Sequence, residues 1–96
     1  MSYFYYWRGK MEEIKDLLAL KAKKELEDNN LFIDSVYEEK DGGVNYLRIA
    51  IDRKDDYIDL DTITLISEVL NKIIDEENIA KDNSVVDIYA KEKGDK

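Results

Sequence analysis

Apolar residues recur at helical spacing in two segments of the chain. The first segment covers residues 11–29, and its apolar positions fall three or four residues apart: Ile14, Leu17, Leu18, Ala22 and Leu26. The second segment begins after Asp59, which has the position and residue type of a helix N-cap, and should end near Glu77. Its apolar stripe consists of Ile63, Ile66, Leu70, Ile73 and Ile74. Both patterns predict amphipathic helices.

Three other segments alternate in the way that half-buried strands do: residues 31–39, 44–52 and 84–90. In the second strand, Leu47, Ile49 and Ile51 share the face that we expect to be buried, and Val86 and Ile88 share it in the third. In the first strand the alternation predicts two sets, with Ile33, Ser35 and Tyr37 on one face and Phe32, Asp34 and Val36 on the other.

A short loop at residues 41–43 joins the first two strands. We expect Ile33 and Tyr37 to lie on the same side of the sheet as Leu47 and Ile51. The two residue numbers of each cross-strand pair must then add up to an even number. Tyr37 paired with Leu47 is an example. This parity favours a three-residue Asp41-Gly42-Gly43 loop over a two-residue Asp41-Gly42 turn.

The order of the elements is helix, strand, strand, helix, strand. This αββαβ order predicts an α+β fold, a two-layer α/β sandwich in which both helices cover one face of a three-stranded sheet. We expect one domain at residues 11–90, preceded by an aromatic N-terminal extension at residues 1–10 and followed by a charged tail at residues 91–96.

Residues 3–7 of the extension are all aromatic. Three interpretations stay open: Met11 is the true start of the protein, the extension is an arm that packs on exposed apolar surface, or it stacks on RNA bases with help from Arg8 and Lys10.

The sheet face opposite the helices, left open by this layout, is more apolar than the exposed face of a monomer usually is. Its predicted members are Phe32, Asp34, Val36, Tyr46, Arg48, Ala50, Val85, Asp87 and Tyr89. Arg48 is the only cation among them, and Asp34 and Asp87 flank it if its strand is central. The residues predicted to bind a partner are Phe32, Asp34, Tyr46, Arg48, Asp87 and Tyr89. The partner is a protein, a second copy of the chain or the N-terminal arm; the alternative is that Arg48 only closes a structural ion pair.

The composition and charge of the chain argue against several classes of function. The 96 residues carry a formal net charge of -8, which argues against direct binding to nucleic acid and for a basic protein partner. The sequence has no cysteine and no histidine, which excludes disulfides and thiol catalysis and removes the usual general base and transition-metal ligand. No apolar run approaches the roughly 20 residues of a membrane span. We therefore predict a protein that is not an enzyme, has no catalytic residues and takes no cofactor.

Five aspartates surround one predicted turn: Asp52, Asp55, Asp56, Asp59 and Asp61. Carboxylates of this kind attract hard cations such as Mg²⁺ or Ca²⁺. Their spacing is not that of an EF-hand, and the loop lacks its glycine. We interpret them as a strand end, a solvated turn and an N-cap, and predict no metal site.

The same strand and helix segments also carry a family resemblance, in their order and spacing. They are residues 32–37 (Phe-Ile-Asp-Ser-Val-Tyr), the Asp-Gly-Gly turn, residues 46–52 (Tyr-Leu-Arg-Ile-Ala-Ile-Asp), Leu60-Asp61, residues 66–70 (Ile-Ser-Glu-Val-Leu) and Ile74-Asp75. Over residues 14–88 the chain resembles the N-terminal domain of the bacterial ribosome maturation factor RimP.

This resemblance implies the family's αββαβ domain and a role in the assembly of the small (30S) ribosomal subunit, with the small-subunit protein S12 as the expected contact. The sequence departs from the family after Ile88, where residues 89–93 (Tyr-Ala-Lys-Glu-Lys) replace Ser-Ser-Pro-Gly and Arg-Pro-Leu. We also expect the family's C-terminal SH3-like domain to be absent. The predicted function is a cytoplasmic, non-enzymatic binding domain of ribosome biogenesis; the alternative is a self-associating module that uses the open sheet face.

Overall fold

The described part of the chain forms three helices and three strands. A computed structural model describes the backbone of residues 3–54, 57–80 and 84–91, and the side chains of the same ranges from residue 10 onward. The elements are α1 (Tyr3–Lys21), α2 (Lys23–Asp28), β1 (Leu31–Asp41), β2 (Val44–Arg53), α3 (Leu60–Glu76) and β3 (Ser84–Ala90).

The first predicted helix is longer than expected and is divided in two. It begins at Tyr3 rather than at residue 11, since extending an existing helix adds one hydrogen bond for each residue fixed. Ala22, fully buried, interrupts it, although the Ala22 N–H still donates to the Leu18 carbonyl at 2.9 Å. The side chains of residues 1–9 and all of residues 92–96 lie outside the described residues, so the interpretations of the extension and the tail stay predictions.

The three strands form one mixed sheet with β2 in the centre. β1 pairs with β2 in antiparallel orientation and β3 pairs with it in parallel, in the order β1-β2-β3. A parallel neighbour requires a crossover connection, which α3 provides. This arrangement confirms the predicted α+β fold.

The core lies between the helices and one sheet face. Its members are Ile14, Leu18, Ala22, Leu26, Leu31, Ile33, Val36, Leu47, Ile49, Ile51, Ile66, Leu70, Ile73 and Ile74. The predicted stripes of both helices and the predicted buried face of β2 are therefore confirmed, except that Leu17 is absent from this cluster and Ile63 is only half-buried.

The start of α3 follows the sequence prediction. Asp59 has extended backbone angles, and its carboxylate accepts hydrogen bonds from the Thr62 N–H at 3.3 Å and from the Thr62 hydroxyl at 2.6 Å. These bonds stabilise the charged carboxylate and lower the pKa of Asp59 below its ordinary value. Asp59 is thus an N-cap, as predicted.

A β-bulge at Asp34 overturns the predicted faces of β1. Ile33 pairs with Ile51, which has the expected parity, but Ser35 then pairs with Ala50, so that Asp34 is skipped. A bulge of this kind places two residues opposite one and reverses the alternation beyond it. Val36 consequently points into the core, with 9% of its surface exposed, and Tyr37 points to the opposite face with 37% exposed.

The hairpin loop differs from its prediction for the same reason. Asp41 pairs directly with Val44, so the loop contains two residues, Gly42 and Gly43, and the predicted three-residue loop is wrong. Both glycines have positive φ, 60° and 84°, as a two-residue type I′ turn requires. The parity argument failed because the bulge, not the loop, absorbs the extra residue; Leu47 pairs with Glu38 and not with Tyr37.

Candidate functional site

The sheet face opposite the helices, which we call the open face, is the candidate site. Its side chains alternate with those of the core along the strands, except at the bulge in β1, where Asp34 and Ser35 follow each other. They are Phe32, Asp34, Ser35, Tyr37 and Glu39 from β1, Tyr46, Arg48 and Ala50 from β2, and Val85, Asp87 and Tyr89 from β3. All six residues predicted to bind a partner lie here. Val36, predicted to join them, does not, because of the bulge at Asp34.

Arg48 occupies the middle of the open face, because its strand is central. Its Nε donates to Glu39 Oε1 at 2.5 Å, its Nη1 donates to Asp87 Oδ2, and its guanidinium lies 4.6 Å from the centre of the Tyr46 ring. The hydrogen bond to Glu39 is the largest cause that raises the pKa of Arg48 above its ordinary value. One carboxylate from each outer strand thus fixes the central cation.

The predicted flanking of Arg48 is half right. Asp87 contacts it, but Asp34 does not, since the bulge places Tyr37 opposite Arg48 and brings Glu39 within reach. Asp34 instead accepts a hydrogen bond from Lys91 Nζ at 3.3 Å. Lys91, just past the end of β3, is a cation beside this face, and Arg48 is the only cation among the face residues named above.

Two tyrosines connect the outer strands across β2. Tyr37 and Tyr89 share a hydrogen bond between their hydroxyl oxygens, 2.8 Å apart. This bond, followed by burial, raises the pKa of Tyr89 to about 12. Sequence reasoning missed Tyr37, although one signal was present: two adjacent glycines favour a two-residue loop, which conflicts with even parity unless the strand contains a bulge.

Apolar surface surrounds this polar centre. Phe32 on β1 is 44% exposed and Val85 on β3 is 46% exposed, whereas Ala50 between the strands is buried. A surface of this kind is suited to contact with another protein. The contact buries the exposed apolar side chains, and the polar groups keep the hydrogen-bond partners that they already have.

Neither a metal cluster nor a membrane span is found among the described residues. Among them, no three or more His, Cys, Asp or Glu residues are grouped closely enough to hold a metal ion. Of the five aspartates around the turn, Asp59 caps α3, and Asp55 and Asp56 lie outside the described residues. In the part of the chain that the structure covers, no helix is long and apolar enough to cross a membrane.

Comparison with known proteins gives one finding. A search of curated proteins returns no match. A family model described as the RimP N-terminal domain matches residues 21–93, from the end of α1 past the end of β3. That match covers well over half of the 96 residues and confirms the resemblance noted in the sequence. The chain therefore belongs to the RimP N-terminal domain family, whose members are ribosome maturation factor domains.

Proposed function

We propose that this domain acts in the assembly of the small (30S) ribosomal subunit by binding a basic ribosomal protein on its open face, without catalysing a reaction. Family membership supports the ribosomal part of the proposal. The observation that carries the binding part is the exposure of Phe32, Tyr37 and Val85 around the fixed centre at Arg48. The proposal puts the protein in the cytoplasm, where ribosomal subunits are assembled.

Charge favours a basic partner. The chain has a net charge of -8, and the open face contributes three carboxylates, those of Asp34, Glu39 and Asp87, against the two cations Arg48 and Lys91. Complementary charge increases the rate of encounter and is screened by salt. The small-subunit protein S12 is the partner that the family resemblance implies.

The dimensions of the open face set the expected strength of binding. Seven residues at about 3.3 Å each and three strands at about 4.8 Å spacing give a projected area of roughly 330 Å². A standard interface buries about 800 Å² on each partner. Contact through this face alone should therefore give a weak, salt-sensitive complex, and a tighter one must use neighbouring surface.

A binding experiment with small-subunit particles tests the proposal. The immobilised protein should retain a basic ribosomal protein at low salt and release it as salt rises. The double variant Tyr46→Ser/Tyr89→Ser should lose this binding with an unchanged circular dichroism spectrum, because neither side chain belongs to the core. Tyr57→Ser is the matched control, since Tyr57 is 70% exposed and precedes α3. Retention of no ribosomal protein at low salt, or full binding by the double variant, would contradict the proposal.

The same exposed residues favour a second candidate function, self-association. Two open faces brought together would bury Phe32, Tyr37 and Val85 of both copies. Light scattering over a range of concentrations separates the candidates, because a mass that stays monomeric at every concentration contradicts self-association.

A further inference from the structure

The outer edge of β3 presents backbone groups with no partner within the described chain. The Lys91 N–H donates to the Ile51 carbonyl at 2.7 Å, and Ile51 lies opposite Ala90. In a parallel ladder alternate residues of a strand bond to the neighbouring strand. Val85, Asp87 and Tyr89 therefore direct their backbone groups toward β2, and Val86 and Ile88 direct theirs outward. No hydrogen bond joins these outward groups to another described residue.

β3 lacks the features that protect edge strands from pairing. Proteins protect edges with proline, lysine, bulges or inward-pointing charges. β1, the other edge, has the bulge at Asp34 and carries Glu38 and Lys40. β3 contains neither proline nor lysine, its register with β2 is unbroken, and its single charge, Asp87, is held by Arg48. The backbone of β3 is thus the more open of the two edges.

The side chains of β3 specify what would pair with it. On the open face the order is Val85, Asp87, Tyr89, an acid between two apolar groups. Asp87 uses Oδ2 for Arg48, and Oδ1 makes no hydrogen bond to a described residue. Cross-strand neighbours lie about 5 Å apart, so a lysine or arginine opposite Asp87 would complete the pairing of its carboxylate.

A second copy of the chain fits this edge poorly. Antiparallel pairing of two β3 strands is longest when it is centred on Asp87, and that places the two Asp87 carboxylates opposite each other. Like charges in that position are destabilising. The edge therefore favours a different, basic occupant.

We infer that the outer edge of β3 binds an extended peptide segment of a partner protein as a fourth strand antiparallel to β3, with a lysine or arginine opposite Asp87 and apolar residues opposite Val85 and Tyr89. Backbone hydrogen bonds to Val86 and Ile88 hold the segment, and the alternating side chains select it. The inference goes beyond the proposed function, which concerns the open face and not the edge.

A labelled peptide provides the test. The probe is Ser-Val-Thr-Lys-Val-Val-Ser with blocked ends, and its binding to the full chain is followed by fluorescence anisotropy. One control peptide has Glu in place of Lys. Another carries N-methyl groups on the two residues that flank Lys, whose N–H groups face Val86 and Ile88 when the peptide pairs antiparallel to β3. We expect each control to bind at least about tenfold more weakly, a difference of about 1.4 kcal/mol.

Variants of the protein complete the test. Val86→Pro removes one outward N–H without removing a bond to β2, and should lower affinity at least about tenfold; Val86→Ala keeps that N–H and should bind nearly as wild type. If Val86→Pro fails to fold, the N-methylated peptide decides the question with the wild-type chain.

Three outcomes overturn the inference: no binding of the lysine probe at millimolar concentration, equal binding of the N-methylated probe, or a wild-type dimer that Val86→Pro converts to monomer. Because the probe is not a ribosomal protein, a peptide that does not bind would not contradict the proposed function. In the same way, a particle experiment that shows no binding would not contradict the edge site.

Discussion

The bulge at Asp34 leads to a prediction that distinguishes the observed register of β1 from that of an uninterrupted strand. In the structure, Val36 lies in the core and Tyr37 lies on the open face. Val36→Ala removes the equivalent of two buried methylene groups, each worth about 0.8 kcal/mol, and leaves a small cavity, so it should lower the free energy of unfolding by about 2 kcal/mol. Tyr37→Ala removes a partly exposed ring and one hydrogen bond, and should cost about 1 kcal/mol.

An uninterrupted first strand would reverse this order. Tyr37 would then occupy the core and its truncation would cost about 3–5 kcal/mol, the range for large aromatic residues, whereas Val36 would be exposed and its truncation would cost less than about 0.5 kcal/mol.

The assay is urea unfolding followed by far-UV circular dichroism, with the slope against urea checked for constancy. For a domain of this size, 2 kcal/mol corresponds to a fall in Tm of about 8–16 °C. A Tyr37→Ala variant that is clearly less stable than Val36→Ala would refute the bulge and the open face built on it.

Three further predictions concern the loop, the cap and the tyrosine pair. Gly42→Val forces a branched residue to φ 60° and should cost about 1–2 kcal/mol in urea unfolding, whereas Gly42→Asn should be nearly neutral; equal stability of the two variants would contradict the turn geometry. Because the pKa of Asp59 is lowered in the folded state, its contribution to stability should be present above the unfolded pKa of about 3.9 and be lost as pH falls through the folded pKa. The difference in the free energy of unfolding between wild type and Asp59→Ala should therefore be larger at pH 7 than at pH 3. A difference that does not become smaller in acid would contradict the cap. The pKa of Tyr89, about 12, implies stability that is present below about pH 10 and lost as pH rises toward 12; in ultraviolet titration Tyr37→Phe should lower the Tyr89 pKa, and an unchanged titration curve would show that the hydroxyl pair does not form in solution.

Local patterns predicted most of the fold because each depended on a few neighbouring residues. The cap at Asp59, the stripe through Ile66 and Leu70, and the bounds of β3 all follow from spacing within one element. The early start of α1 was missed because the prediction relied on apolar periodicity, which begins only at Ile14. The bulge was missed because its signal, the pair of glycines at residues 42 and 43, lies in the loop and not in the strand itself.

The candidate site was predicted only as far as it depended on those patterns. The open face follows from the alternation, whereas the central place of Arg48 was predicted only on the condition that β2 is the central strand, which the structure shows. The partners of Arg48 depend on the register of β1, so Glu39 and Tyr37 could not be identified once the bulge was missed. Whether Phe32, Tyr46 and Tyr89 bind a partner stays a prediction that the experiments above address.

The connections between the strands have a consequence for the order of folding. A two-residue turn closes the β1–β2 hairpin, whereas β3 reaches β2 only after the long crossover through α3. Short loops close with less entropic cost, so the hairpin should form early and β3 should dock last. Glu39 and Arg48 then meet early in folding, but Asp87 and Tyr89 join them only at the final step. A partner that contacts residues from all three strands would therefore select molecules that have finished folding.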